Sequence, residues 1–178
     1  MRSLKKIGMS KSETYRIPYL GLKNGIHLYE FEADETFFSK FDQSLLVVKA
    51  KVNFEVQLEK LNTQINLEID LVGLVDTQCD TCGGDLTSQI EGDFRVVVKF
   101  GDETSDLTDD LIILGPSEQF VNLDQLFFEF AHLCLPARNV HENELDCNQE
   151  ALAALKKFEL KEKNTDIDPR WAALKNLK

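Results

Sequence analysis

No run of about 18 apolar residues occurs in this 178-residue sequence, so nothing in it reads as a membrane-spanning helix. The basic start Met1-Arg2-Ser3-Leu4-Lys5-Lys6 is not followed by the apolar segment that a signal peptide needs. Gly-x-Ser-x-Gly, a phosphate-binding glycine loop and His-Glu-x-x-His are all missing, which removes the motif-bearing hydrolases and nucleotide-dependent enzymes. The acidic stretch 101–110 lacks the Asp-x-Asp-x-Asp-Gly spacing of a calcium loop and reads as a solvated connection. There is no internal repeat and no low-complexity tract. Cysteine is scarce, at four residues. In a chain expected to be cytoplasmic, where thiols stay reduced, four cysteines suggest a metal before a disulfide.

Hydrophobic residues make up 43% of the chain, enough for a real core. The length suits one domain with extended ends. The expected organisation is a flexible N-terminal arm over 1–12, a single domain over 13–160, and a C-terminal tail over 161–178. The net charge of −11 is unevenly spread. Residues 1–11 hold four bases and no acids, and residues 150–178 hold seven bases against five acids, which leaves −17 for residues 12–149. Such a body repels phosphate backbones and attracts a basic protein. Any contact with RNA falls to the ends.

The clearest periodicity begins at Leu46. Apolar residues take every second position through Val48, Ala50, Val52, Phe54, Val56 and Leu58, with polar residues between them. A half-buried strand puts such a pattern on one face, whereas a helix scatters it. The alternation resumes at Ile65, Leu67, Ile69 and Leu71, and again from Ile90 to Phe100. Shorter strands are expected over 13–21, 26–32 and 111–114, with Asp34 capping a short helix that carries Phe37, Phe38 and Phe41. From Leu123 the spacing becomes helical through Leu126, Phe127, Phe130 and Cys134 until Pro136. Asn148 starts a second helix, and Asp168-Pro169 has the signature of a third. The expected fold is therefore α+β: a curved, barrel-like antiparallel sheet followed by two to three helices.

Cys79-Asp80-Thr81-Cys82-Gly83-Gly84 falls between the second and third long strands. Two thiols two residues apart on a tight turn supply half of a tetrahedral zinc site. A redox pair is the other use of Cys-x-x-Cys, but such pairs open a helix, and here a strand resumes. The remaining ligand types lie together at His132, Cys134, His141 and Cys147. The preferred set for a structural zinc is Cys79, Cys82, His141 and Cys147, because the last two follow the helix in a loop free to turn back. Cys134 competes with His141, although its place on the apolar stripe suits a small buried hydrophobe. His132 lies off that stripe and is expected to be exposed, His27 is expected to be structural, and Asp80 and Asp85 read as solubilising. Four protein ligands leave no open position for an activated water, which argues against zinc hydrolysis.

Cys79-x-x-Cys82, Leu135-Pro136 followed by His141 and Cys147, and above all the ending Asp168-Pro169-Arg170-Trp171-Ala172-Ala173-Leu174-Lys175-Asn176-Leu177 together resemble the YceD family. These are the large ribosomal RNA subunit accumulation proteins of bacteria and plastids, and the Asp-Pro-Arg-Trp ending is similar to the Bacteroidetes branch. The resemblance implies a non-enzymatic ribosome biogenesis factor that supports accumulation of large-subunit ribosomal RNA. It also implies a partner, since in many members the gene neighbours that of a small zinc-ribbon ribosomal protein of the large subunit. The acidic body fits a basic ribosomal protein. Arg170, Trp171 and Lys175 make a contact tip for protein or for rRNA, and packing of Trp171 onto the sheet is the other use of that side chain. The alternative function is a metal-dependent or redox enzyme of RNA metabolism. Neither a membrane nor a small-molecule substrate is expected.

Overall fold

A computed structural model describes residues 15–41, 49–102, 105–108 and 110–158. Its centre is a meander of three long strands, β3 (Lys49–Lys60), β4 (Gln64–Gln78) and β5 (Asp85–Phe100), paired antiparallel in the order their alternation predicts. Leu46 and Val48, the first two positions of that alternation, lie outside the described residues. β2 (Gly25–Asp34) pairs with the far side of β3. Asp34 ends β2 and caps α1 (Glu35–Phe38), its carboxylate accepting from the Thr36 and Phe37 amides at 2.9 and 3.2 Å.

Two features depart from the expected barrel-like antiparallel sheet. Beyond β5 the chain skips one position to form β6 (Ser105–Thr108) and returns through β7 (Leu111–Leu114), which fills the gap and runs parallel to β5. Part of the acidic stretch read as a connection is thus the edge strand β6. The strand order β2-β3-β4-β5-β7-β6 is also open, because among the described residues no ladder joins its two end strands. A separate ribbon pairs β1 (Arg16–Pro18) with β8 (Phe120–Asn122), bringing together segments about a hundred residues apart.

One face of the six-stranded sheet is dry. Val52, Phe54, Val56 and Leu58 of β3, Ile65, Leu67 and Ile69 of β4, and Ile90, Val96 and Val98 of β5 are all buried there. The β1–β8 ribbon and α2 (Asp124–Leu133) cover this face. Phe127 of α2 stacks on Phe54 at 4.0 Å, and Phe130 stacks on Phe94 at 4.0 Å. Offset or edge contacts of this kind stabilise by about 0.5–1.5 kcal/mol beyond burial. Gly92 of β5 makes the closest approach: a Cβ there would lie 2.5 Å from the Cys134 sulfur. The C-terminal end of α2 therefore sits directly on the β5 backbone. α2 ends at Leu133 with Cys134 as its C-cap, two residues short of Pro136.

The chain then runs through a 3-10 turn (Glu144–Asp146) to α3 (Gln149–Phe158). Asn148 caps α3, its side-chain oxygen accepting from the Glu150 and Ala151 amides at 3.0 and 3.2 Å. The arm over 1–12, the whole tail over 161–178 and with it the third helix predicted from Asp168 lie outside the described residues.

Candidate metal centre

The loop from Cys79 to Gly84 joins β4 to β5 as a tight tip. The Cys79 amide donates to the Gly84 carbonyl at 2.8 Å, and the Gly83 amide returns to the Cys79 carbonyl at 2.8 Å. Gly83 has φ +68°, a left-handed conformation that glycine adopts without a Cβ penalty. Sharp closure of the tip turns Cys79 and Cys82 to one side, where both are buried.

The loop between α2 and α3 reaches this tip and brings two more side chains. The ligating atoms of Cys79, Cys82, His141 and Cys147 all lie within 4.8 Å of one another. His141 Nδ1 stands 3.7 Å from the Cys82 sulfur and 3.4 Å from the Cys147 sulfur. A tetrahedral zinc with ordinary Zn–S and Zn–N bonds separates sulfur from nitrogen by about 3.6 Å. On the other side of the ring, His141 Nε2 lies 3.1 Å from the Asp85 carbonyl. A carbonyl only accepts, so Nε2 carries the proton and Nδ1 turns its lone pair towards the sulfurs, the arrangement a metal-binding histidine needs.

All four cysteines are free thiols. Burial alone would raise the Cys79 thiol, but backbone amides of Cys82, His141 and Thr81 hydrogen-bond its sulfur and bring it down to about 6. Cys147 moves the other way, pushed up to about 11 by burial and by the neighbouring Cys82 and Cys79 sulfurs. Burial disfavours the charged His141 ring, yet the Asp85 carbonyl and the Cys79 thiolate outweigh it and hold the ring above its usual value. Without a cation the cluster favours one thiolate over three, because adjacent buried anions repel. A divalent cation removes that conflict, and three thiolates with one imidazole suit zinc. Leu86, Ala151 and Leu152 pack against the sulfurs and form a small satellite core around them.

The alternative ligands lie elsewhere. Cys134 packs against the main core above Gly92, and burial followed by the charge of Asp93 raises its thiol. His132 is half-buried instead of exposed: its ring lies 4.2 Å from that of Phe128, and its Nδ1 bonds the Phe128 carbonyl at 2.7 Å. His27 bonds the Lys23 carbonyl at 2.8 Å. Asp80 does more than solubilise. Its carboxylate accepts from the Asn139 amide at 2.7 Å, and its own amide donates to the Asn139 carbonyl at 2.7 Å. Asn139 and the Asp85 carbonyl were not foreseeable as supports of the cluster, because a backbone bond leaves no mark on residue spacing. Arg170, Trp171 and Lys175 lie outside the described residues.

Among the described residues no helix is long and apolar enough to cross a membrane. No curated protein and no solved structure matches the chain. A family model described as "Large ribosomal RNA subunit accumulation protein YceD" does match, over residues 67–178. That span holds most of β4, β5, the Cys/His cluster, both helices beside it and the Asp168-Pro169-Arg170-Trp171 ending, so the chain belongs to the YceD family.

Proposed function

We propose that this protein is a cytoplasmic, non-enzymatic ribosome biogenesis factor that supports accumulation of large-subunit ribosomal RNA. It does so by binding a basic ribosomal protein of the large subunit on the uncovered face of its main sheet. A structural zinc held by Cys79, Cys82, His141 and Cys147 fixes the helical end of the chain to that sheet. The family supplies the process, and the charge on the sheet supports the partner.

The observation that carries the partner is a row of carboxylates running across the strands. Glu55 of β3 faces Asp70 of β4, and Asp70 faces Asp93 of β5. All three are exposed on the face that no described element covers. Like charges directly opposite each other in a sheet cost about 0.2–1 kcal/mol per pair. Two residues along the strands the charges are compensated, since Glu68 lies between Gln57 at 2.9 Å and Arg95 at 3.4 Å. A lysine- and arginine-rich partner would relieve the row and gain charge complementarity. Exposed Val72 and Leu74 on the same face add apolar contact area. Arg170, Trp171 and Lys175 are assigned to the same complex, as contacts to the partner or to rRNA.

A filled tetrahedral shell supports the non-enzymatic reading, because it leaves no position for an activated water. The Cys pair at a hairpin tip also lacks the helix N-terminus that activates redox pairs. The test replaces Glu55, Asp70 and Asp93 together by lysine in the growing cell. Loss of co-purifying large-subunit proteins, with a fall in the ratio of large- to small-subunit rRNA, is expected. Trp171→Ala in the same assay reads the tail. Full co-purification by the triple variant would sink the sheet-face reading, and absence of ribosomal components from the wild-type pull-down would sink the assembly reading itself.

A further inference from the structure

Asp80 and Asn139 join the knuckle to the His141 arm without using a single ligand atom. Their two bonds run in opposite directions, amide to carbonyl and amide to carboxylate, each at 2.7 Å. Asn139 is tied a second time to β5, where Ser88 Oγ donates to its side-chain oxygen at 3.4 Å. A single residue, Val140, separates Asn139 from His141, a tether of about 7 Å when fully extended. Fixing Asn139 therefore fixes where the imidazole can reach.

We propose that Asp80 is a positioning residue for the metal: with Asn139 it forms a latch that docks the His141 arm on the knuckle before any ion binds. This rests on the metal reading of the cluster given above. The carboxylate oxygen Oδ2 is occupied by the Asn139 amide and is not among the clustered ligand atoms. Its place in the chain, beside Cys79, couples the arm to the pair of thiols that starts the site. With the arm already in place, His141 presents Nδ1 to the sulfurs with its opposite nitrogen held by Asp85. An ion then meets a nearly complete shell. Supports of this kind, one step out from the ligands, change metal affinity by about 10–100-fold when removed.

The test uses the full chain, cobalt(II) as the probe and two variants. Asp80→Ala removes the acceptor. Asp80→Asn keeps an oxygen that accepts from the Asn139 amide, at roughly half the strength of a carboxylate. Cobalt affinity is measured by competition with a chelator, and the visible spectrum of the saturated protein reports the ligand set. Hydrogen exchange at the Asn139 amide is measured on the metal-free protein. Asp80→Ala should weaken cobalt binding by about tenfold and expose the Asn139 amide, with the saturated spectrum unchanged. Asp80→Asn should stay within about threefold of wild type and keep the amide protected. The latch is overturned if Asp80→Ala binds cobalt as wild type does, if Asp80→Asn falls as far as Asp80→Ala, or if Asn139 exchanges equally in all three. A wild-type protein that takes up no cobalt overturns instead the metal reading, and the exchange comparison separates that failure from failure of the latch.

Discussion

Removing the metal proposed for the Cys/His cluster should soften the tip of the sheet without unfolding the protein. An ion bridging Cys82 and His141 closes a loop across 59 positions of sequence. Treated as a cross-link, closure of that length stabilises the folded state by about 4 kcal/mol. The Asp80–Asn139 pair already closes a loop of the same length without the ion, however. What the ion adds is closure of the shorter segment from His141 to Cys147, six positions apart, worth about 2 kcal/mol on the same scale. For a chain of this size each kcal/mol moves the melting temperature by about 2–4 °C, so the expected fall is about 4–8 °C. The assay compares thermal melts of the full chain with excess zinc and with excess chelator at one pH, followed by circular dichroism. The sheet signal at 25 °C should be the same in both. A chain that loses its sheet at 25 °C under chelator would refute the preformed arm, because the ion would then be creating the fold, as in a zinc finger. Identical melts would refute binding of an ion at the cluster.

Two further perturbations test the packing that carries this site. Gly92→Ala places a Cβ 2.5 Å from the Cys134 sulfur; it should cost about 1–3 kcal/mol in urea titrations, and Cys134→Ala in the same chain should recover part of that loss, since the two sites share one contact. Burial, reinforced by Asp34, Asp124 and Glu32, pushes the Tyr15 hydroxyl from 10.0 up to about 12. The neutral ring is thus favoured in the folded chain, and its contribution, whole below pH 10, is lost as pH rises to about 12. Tyr15→Phe gives up the bond to the Glu32 carbonyl at a cost of about 1 kcal/mol near neutral pH, and its deficit relative to wild type should shrink as pH rises from 10 towards 12.

The long strands were legible because one of their faces is wet. Polar positions such as Asn53, Glu55 and Gln57 interleave with buried Val52, Phe54 and Val56, and that period admits only one local conformation. The caps at Asp34 and Asn148 were legible for a similar reason, since their bonds are local. β6 and β8 were not, because strands of three or four residues are too short to show a period. β1 lies within the strand expected over 13–21, but its pairing with β8 was not legible, because that ribbon joins segments far apart in sequence. The parallel β7 was legible as a strand but not in direction, which depends on where the chain crosses. At the cluster, ligand chemistry and spacing pointed to Cys79, Cys82, His141 and Cys147. Residue types alone could not separate Cys134 from His141; that choice follows from packing, which seats Cys134 over Gly92.

The two faces of the sheet are under different constraints, and the difference bears on function. Inward positions are fixed by burial: replacing Phe54 or Leu67 with a polar residue would leave an unpaired group in a dry core. Outward positions meet water and could carry either charge at little cost to folding. At the level of Gln57, Glu68 and Arg95 they do carry compensating partners. At the level of Glu55, Asp70 and Asp93 they carry three acids side by side, an arrangement that works against the sheet by about 0.4–2 kcal/mol in low salt. Folding does not require that row, so its explanation belongs to what the folded sheet meets. The tip makes a parallel case. Among the described residues its satellite core contains three sulfurs, Leu86, Ala151 and Leu152, a small apolar surface on which to hold α3. The polar bonds of Asp80 and Asn139 add to that attachment, and the proposed cation would add to it further, on the opposite side of the strands from the acidic face.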